Sequence, residues 1–388
     1  SVPSVNGASV EVKEALLLDV GIAVFDPGIA DYDESDDERI YPEVRRAEAR
    51  YMPSILSEAM QNSGAWGAVR VVPDDQQITD LMVRGKILHS DGEELELHIT
   101  AIDSRGYEWL DKKYTGNASG YAYKMTTRNS FDPFQAVYNT IANDLLQRQE
   151  ELRNEDRENI RTVTELLFAR SFSADAFDGY LGQNRKEHYV ILRLPAEGDP
   201  MLERVRNIRE RDQMFIDTLQ EYYVNFDAQM DGPYQEWRKL SYEEAMALKE
   251  LKAESTQRLI TGGLAILAGI AGASQGDSAM TRTAGQVAII GGGYLLKSGL
   301  EKRSEAQIHV QALEELGMSL EAEITPQVIE LDDRTVMLSG NVEDQYAQWR
   351  DVLADIYATE VGALERPEDA PPSGDAPRTD NQRKASPH

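Results

Sequence analysis

Between residues 259 and 300 the chain carries two apolar stretches without a single charge. Residues 259–273 read LITGGLAILAGIAGA, and residues 284–296 read AGQVAIIGGGYLL. Gly276-Asp277-Ser278 and Arg282 lie between them. Glycine recurs every seven residues on each side: Gly262, Gly269 and Gly276, then Gly285, Gly292 and Gly299. A glycine in a helix interior costs about 1 kcal/mol against alanine. Six of them at heptad spacing require a compensating gain. Small residues on one helix face supply it by letting two backbones approach closely. Leu264 and Ile266 on the first arm, and Ile289 and Ile290 on the second, leave little polar surface around that face. In water such a surface is an aggregation hazard unless something covers it. The pattern predicts a glycine-rich helical hairpin. A bilayer core asks for about 20 apolar residues, whereas a fifteen-residue arm gives roughly 22 Å of helix. Three destinations stay open: a membrane (in an oligomer or a thin outer membrane), a core shared between subunits, or burial within one domain.

The rest of the chain is solvated. It has 388 residues and a net charge of −28, from 40 Lys and Arg against 68 Asp and Glu. That balance excludes nucleic-acid binding, because phosphate contacts need a basic surface. Cysteine is absent, which removes disulfides, thiolate catalysis and thiolate metal sites. The length allows about two to three domains.

The first 150 residues read as an α/β domain. An apolar run from Ala15 to Phe25 ends in a buried strand, stopped by Asp26-Pro27-Gly28. An acidic loop follows over residues 31–38. A helix over 43–62 places Ala47, Tyr51, Ile55 and Ala59 on one face and stops at Asn62-Ser63-Gly64. Strands are expected at 69–73, 81–88, 95–102 and 107–114, and a helix at 134–153. The segment 151–198 is a helical and aromatic connector, with a strand over His188–Pro195. Residues 199–318 form a helical region. There Met201, Val205, Ile208, Phe215, Leu219, Tyr222 and Phe226 follow coiled-coil spacing, with Asp212 as a polar intruder. The seam serves either an oligomerisation stalk or an intramolecular helix pair. Gly232-Pro233 is expected to end this helix, and a second begins near Tyr234. Residues 319–364 form a small cap, a β-hairpin around Asp332-Asp333 followed by a helix. Residues 365–388 hold five of the fifteen prolines and read as a disordered tail. The fold class is α+β with a mixed N-terminal sheet.

Tests for chemistry are mostly negative. His89, His98, His188, His309 and His388 show no helical metal spacing. Asp31, Asp33 and Ser35 open like a calcium loop, but Asp36 and Pro42 stand where Gly and Glu are needed. No phosphate loop or nucleophile elbow is present. No enzyme, cofactor or metal is expected.

A resemblance rests on Gly21-Ile22-Ala23-Val24-Phe25-Asp26, on the helix ending Leu56–Gly64, and on Trp66–Pro73, Asp80–Ile87 and Leu97–Gly106. Over residues 10–150 these resemble the amino-terminal domain shared by the CsgG, LpoB and TolB type of bacterial envelope protein. The resemblance implies a periplasmic or outer-membrane protein, often a lipoprotein, that assembles or binds envelope partners. The opening Ser1-Val2-Pro3 is expected to be a processed N-terminus. A CsgG-type channel inserts β-hairpins, whereas residues 259–300 read as helical. The expected function is non-enzymatic. The protein homo-oligomerises, inserts the hairpin in a membrane, or does both. The alternative is a soluble periplasmic regulator or adaptor that binds an envelope machine, with the hairpin buried, and a third reading is an enzyme of unknown type.

Overall fold

The computed structural model describes residues 4–29, 40–73, 75–124, 131–272, 308–316, 318, 327–331 and 334–364. The N-terminal part holds β1 (Val20–Ala23), α1 (Pro42–Gln61), β2 (Val69–Val72), β3 (Leu81–Ser90), β4 (Glu94–Asp103), β5 (Glu108–Asn117) and α2 (Gln135–Glu150). The five strands form one mixed sheet in the order β2-β1-β3-β4-β5. The central β1 runs parallel to both β2 and β3, and β3, β4 and β5 continue as an antiparallel meander.

All four residues of β1 are buried, which explains its unbroken apolar run. Val20 and Ile22 join the core under α1 and α2, and Ala23 belongs to a second core on the opposite side. Strand β4 alternates strictly. Leu95, Leu97, Ile99 and Ala101 point into the first core, and Glu94, Glu96, His98 and Thr100 lie half-buried on the other face. The turn between β4 and β5 is closed by buried Asp103, which accepts hydrogen bonds from Trp109 Nε1 (3.0 Å) and Arg105 Nη2 (2.9 Å).

Over β1 and β2 the second core is built by α3 (Asn154–Phe172), α4 (Ala174–Phe177) and α5 (Pro200–Gly272), and by C-terminal elements. Two short strands, β6 (Leu181–Gln183) and β7 (Tyr189–Ile191), lie between α4 and α5. The strand expected to reach Pro195 ends at Ile191, because β6 offers only three partners. Leu192 and Leu194 beyond it are exposed. Residues 308–316 form helix α6. The C-terminal cap is β8 (Gln327–Glu330), β9 (Thr335–Leu338) and α7 (Val342–Leu364). Trp349 of α7 stacks on Phe215 of α5 at 5.1 Å between ring centroids. The acidic loop 31–38 and the tail 365–388 lie outside the described residues.

Helix α5 corrects one expectation. It does not stop at Gly232-Pro233 but runs unbroken for 73 residues, about 110 Å at the standard rise. Pro233 withdraws one amide from the ladder, a cost of about 3 kcal/mol. Buried Met230 before it, and Tyr234 and Trp237 after it, seat both halves on the same neighbours and hold the axis.

Candidate functional site: the root of the long helix

The coiled-coil seam closes within the chain. Val205, Ile208, Phe215 and Leu219 are buried with α3 and α7, and Phe226 packs on α1. Met201 and Tyr222 are half-buried against the same core. Tyr223, one position on, is the deeper residue. An α-helix drifts against a heptad repeat over this length, which rotates the buried stripe. Of the glycine segment, Gly262, Leu264, Ile266 and Gly269 lie on the helical backbone of α5. Gly276, Gly285, Ile289, Ile290, Gly292 and Gly299 lie outside the described residues. Among the described residues no helix is long and apolar enough to cross a membrane.

Where α5 leaves the body, a third small core gathers three helices. Val44, Ala47 and Tyr51 come from α1, Phe226, Met230, Tyr234 and Trp237 from α5, and Leu313 from α6. Leu313 is fully buried. Tyr234 meets Tyr51 edge-on at 5.2 Å and stacks on Trp237 at 5.9 Å. The chain thus returns, 76 residues after Trp237, to the spot it left.

Charged groups buried beside this core fix α5 in place. Glu48 is fully buried on α1 and accepts from Ser90 Oγ (2.6 Å) and Tyr234 Oη (2.5 Å). Arg45 lies 3.7 Å from its other oxygen. Arg238, one turn beyond Tyr234, is also fully buried, and its Nη1 donates to Asp132 Oδ2 at 2.7 Å. The second Asp132 oxygen accepts from the Phe134 amide at 2.9 Å and so starts α2. The Arg238 guanidinium lies over Tyr234 (4.0 Å) and Phe134 (5.2 Å), where ring faces attract a cation. Burial works against its charge, and Asp132 and the neighbouring tyrosines more than offset it, so the group stays protonated.

The tip of the β3–β4 hairpin completes the clamp. A Cβ on Gly92 would fall on the Arg238 carbonyl oxygen and the Tyr242 amide nitrogen, so only glycine lets this turn lie on the α5 backbone. Tyr123 donates its hydroxyl to the Gly92 carbonyl, and its ring lies 5.3 Å from that of Tyr242. Asp91 organises the turn by accepting from the Glu93 and Glu94 amides at 2.6 and 2.7 Å. Burial opposes its charge, but His89 and these amides hold its carboxyl below the usual range. Lys249 pairs with Glu93 farther along α5. From Lys249 to Gly272 the helix extends by roughly 35 Å.

Sequence reasoning missed Glu48, Gly92, Asp132, Tyr234 and Arg238. One usable signal was the Tyr234-to-Arg238 spacing, which sets an aromatic and a cation on one face next to buried Trp237. His89 and His98 each meet a carboxylate, Asp91 at 3.1 Å and Asp111 at 2.5 Å. Among the described residues no three metal-binding side chains gather. Compared with known proteins, the chain matches no family model, no curated protein and no solved structure.

Proposed function

We propose that the protein is a non-enzymatic component of a bacterial cell envelope, a periplasm-facing outer-membrane lipoprotein. Its body holds a glycine-rich hairpin that engages a membrane, sister hairpins, or both. The observation that carries this reading is the common root. Trp237 on the way out and Leu313 on the way back share one small core. The midpoint between them is residue 275, beside the polar Gly276-Asp277-Ser278. An excursion with both feet together and a polar midpoint is what a hairpin requires. The uncharged sequence on either side of that midpoint has no water-compatible face.

Each apolar arm alone is shorter than a bilayer core. Pairing of arms through their glycine faces, within and between copies, therefore fits the segment better than one arm spanning a membrane. The envelope assignment is supported by the resemblance of residues 10–150 to the CsgG, LpoB and TolB type of domain. The charged groups at the root hold one another and the helix, which is a structural use of them.

The test is deletion of residues 259–299 in the protein expressed with its native upstream sequence in a Gram-negative host. The intact protein is expected in the membrane fraction and, in detergent, as an oligomer by light scattering. The deletion is expected to lower the particle mass to that of a monomer and to leave the circular dichroism of the body intact. An unchanged mass together with unchanged fractionation would overturn the proposal.

A further inference from the structure

The two edges of the five-stranded sheet end differently. An edge strand presents a row of unpaired N–H and C=O groups, a template for another strand. On β2 that row is answered from within the chain. The Val71 amide donates to Gln220 Oε1 at 3.0 Å, and Gln220 Nε2 donates to the Val71 carbonyl at 2.9 Å. Gln220 belongs to α5. At the other edge lies β5, ten residues long and paired with β4 alone. The Ala118 amide donates to the Glu93 carbonyl at 2.8 Å, in line with the register that runs from Glu94↔Asn117 to Ala101↔Leu110. Bonded pairs alternate along an antiparallel ladder. Gly116, Tyr114 and Lys112 therefore bond to β4, and Thr115, Lys113 and Asp111 direct their backbone groups away from it. Those three residues are exposed, and none has a backbone partner on the open side among the described residues.

An open edge alone names no occupant. The charge pattern does. Asp111 and Lys113 stand two apart on one face of β5, opposite in sign. An antiparallel copy of β5 centred on Lys112 sets Asp111 opposite Lys113 of the partner subunit, and Lys113 opposite Asp111 of the partner subunit. These are the residues whose backbone groups face outward, so each pair joins an ion pair to mutual backbone hydrogen bonds. On the other face Tyr114 meets Leu110 of the partner subunit. Lys112 meets its own counterpart there, and each is already answered by its own Asp144 on α2 at 2.8 Å. A centre on any other residue loses both ion pairs. A centre on Asp111 or Lys113 sets like charges directly opposite as well, which is destabilising.

We propose that two copies of this chain pair edge to edge through β5, in an antiparallel two-fold ladder centred on Lys112. The sheets of the two copies then run on as one. A ladder of about six residues a side covers less than the roughly 1,200 Å² of a standard interface, so the dimer is weak and its test is one that traps it. The inference depends neither on the glycine segment nor on the envelope reading.

The chain has no cysteine, so one introduced thiol reports the contact. In the ladder Lys112 and its counterpart form a pair without mutual hydrogen bonds, their Cα atoms about 4.5 Å apart, within the span of a disulfide. Thr115 and its counterpart lie about 20 Å apart. Lys112→Cys in the full chain should give a covalent dimer on a non-reducing gel after mild air oxidation. Thr115→Cys, also exposed, should cross-link at least about tenfold more slowly. In the Lys112→Cys chain, adding Asp111→Lys or Lys113→Asp should slow dimer formation about fivefold or more, and adding both should restore it to within about twofold. No dimer from Lys112→Cys would mean that the edge is covered by this chain itself or by another partner, and would overturn the proposal. Equal rates at the two thiols would also overturn it, as would charge reversals that change nothing or do not compensate. Should a charge-reversed variant lose its circular dichroism, the contrast between the two thiols decides.

Discussion

Two stretches of α5 bury charge in opposite ways. At the root, Arg238 and Asp132 form a hydrogen-bonded ion pair, and Glu48 on α1 takes two hydroxyl donors, one from Tyr234. Among the described residues Glu48 Oε2, Arg238 Nε and Arg238 Nη2 lack a hydrogen-bond partner just as the Oδ1 atoms of Asp212 and Asp227 do. What differs upstream is that neither carboxylate has a hydrogen-bonded counter-charge, Asp212 having Arg350 only at 3.6 Å and Asp227 only a hydroxyl from Ser54. Burial pushes Asp212 up to about 6, although Arg350 at 3.6 Å and Arg209 pull it down. Burial pushes Asp227 up to about 7, opposed only by a hydrogen bond from Ser54. The root uses charge to fix where the helix leaves the body. The upstream stretch tolerates charge at a cost that depends on pH.

The largest effect should come from breaking the root. Asp132→Asn keeps an acceptor for the Phe134 amide but leaves the fully buried Arg238 without its counter-charge. A loss of about 3–5 kcal/mol is expected, read from denaturant unfolding of the full chain. Arg238 stays charged at every accessible pH, so the loss should be the same at pH 5 and pH 8. A loss under about 1 kcal/mol would mean that the ion pair does not hold the helix, and the contrast between the two stretches would collapse.

The upstream carboxylates should act in the opposite direction. Their folded values lie above the ordinary value of 3.8. The protonated forms therefore favour the fold. That contribution is complete below about pH 4 and is lost as pH rises through about 6 for Asp212 and about 7 for Asp227. The intact protein should lose stability between pH 4 and pH 7 from these two groups. Asp212→Asn and Asp227→Asn should each flatten that slope and raise stability at pH 7, by something of the order of 1–3 kcal/mol. Thermal unfolding across the pH range checks this. A slope that survives both replacements would place the pH dependence elsewhere.

Local pattern shows why one region was legible and the other was not. The sheet could be read because β4 alternates and β1 does not, and each pattern answers to how many faces the strand buries. The cap was legible through Val342, Tyr346, Trp349 and Leu353, whose spacing is that of one helix face. Even Asp212 stood out, as a polar residue on an apolar seam. The root was opaque because its partners are far apart in the chain. Glu48 meets Tyr234 across 186 positions, and Arg238 meets Asp132 across 106. No spacing rule connects them. Gly92 reads as an ordinary turn glycine until α5 is seen lying against it. The continuity of α5 was misread for a related reason. Local chemistry at Gly232-Pro233 favours a stop, and the packing of Met230, Tyr234 and Trp237 overrides it.

That override yields the smallest effect and the finest check on the comparison. A Cβ at Gly232 meets nothing within 4 Å beyond its two chain neighbours, and the residue is exposed. In a continuous helix Gly232→Ala removes the entropy cost of glycine, about 0.5–1 kcal/mol. It also sets a Cβ against the Cδ of Pro233, a contact that disfavours helical backbone before proline. The two offset, so the net change should stay within about 0.5 kcal/mol. Were the helix to end at Gly232-Pro233 with residue 232 in the extended backbone that a residue before proline prefers, alanine would meet no such contact and would stabilise by about 0.5–1 kcal/mol. The two stretches would then be separate helices, and strain at the root would not reach Asp212 and Asp227. Combining Gly232→Ala with Asp132→Asn sharpens the point. The sites share no partner, so their effects should add to within about 0.5 kcal/mol. A larger coupling would mean that losing the Arg238 pair lets the helix bend at Pro233, and that the root is what keeps it straight.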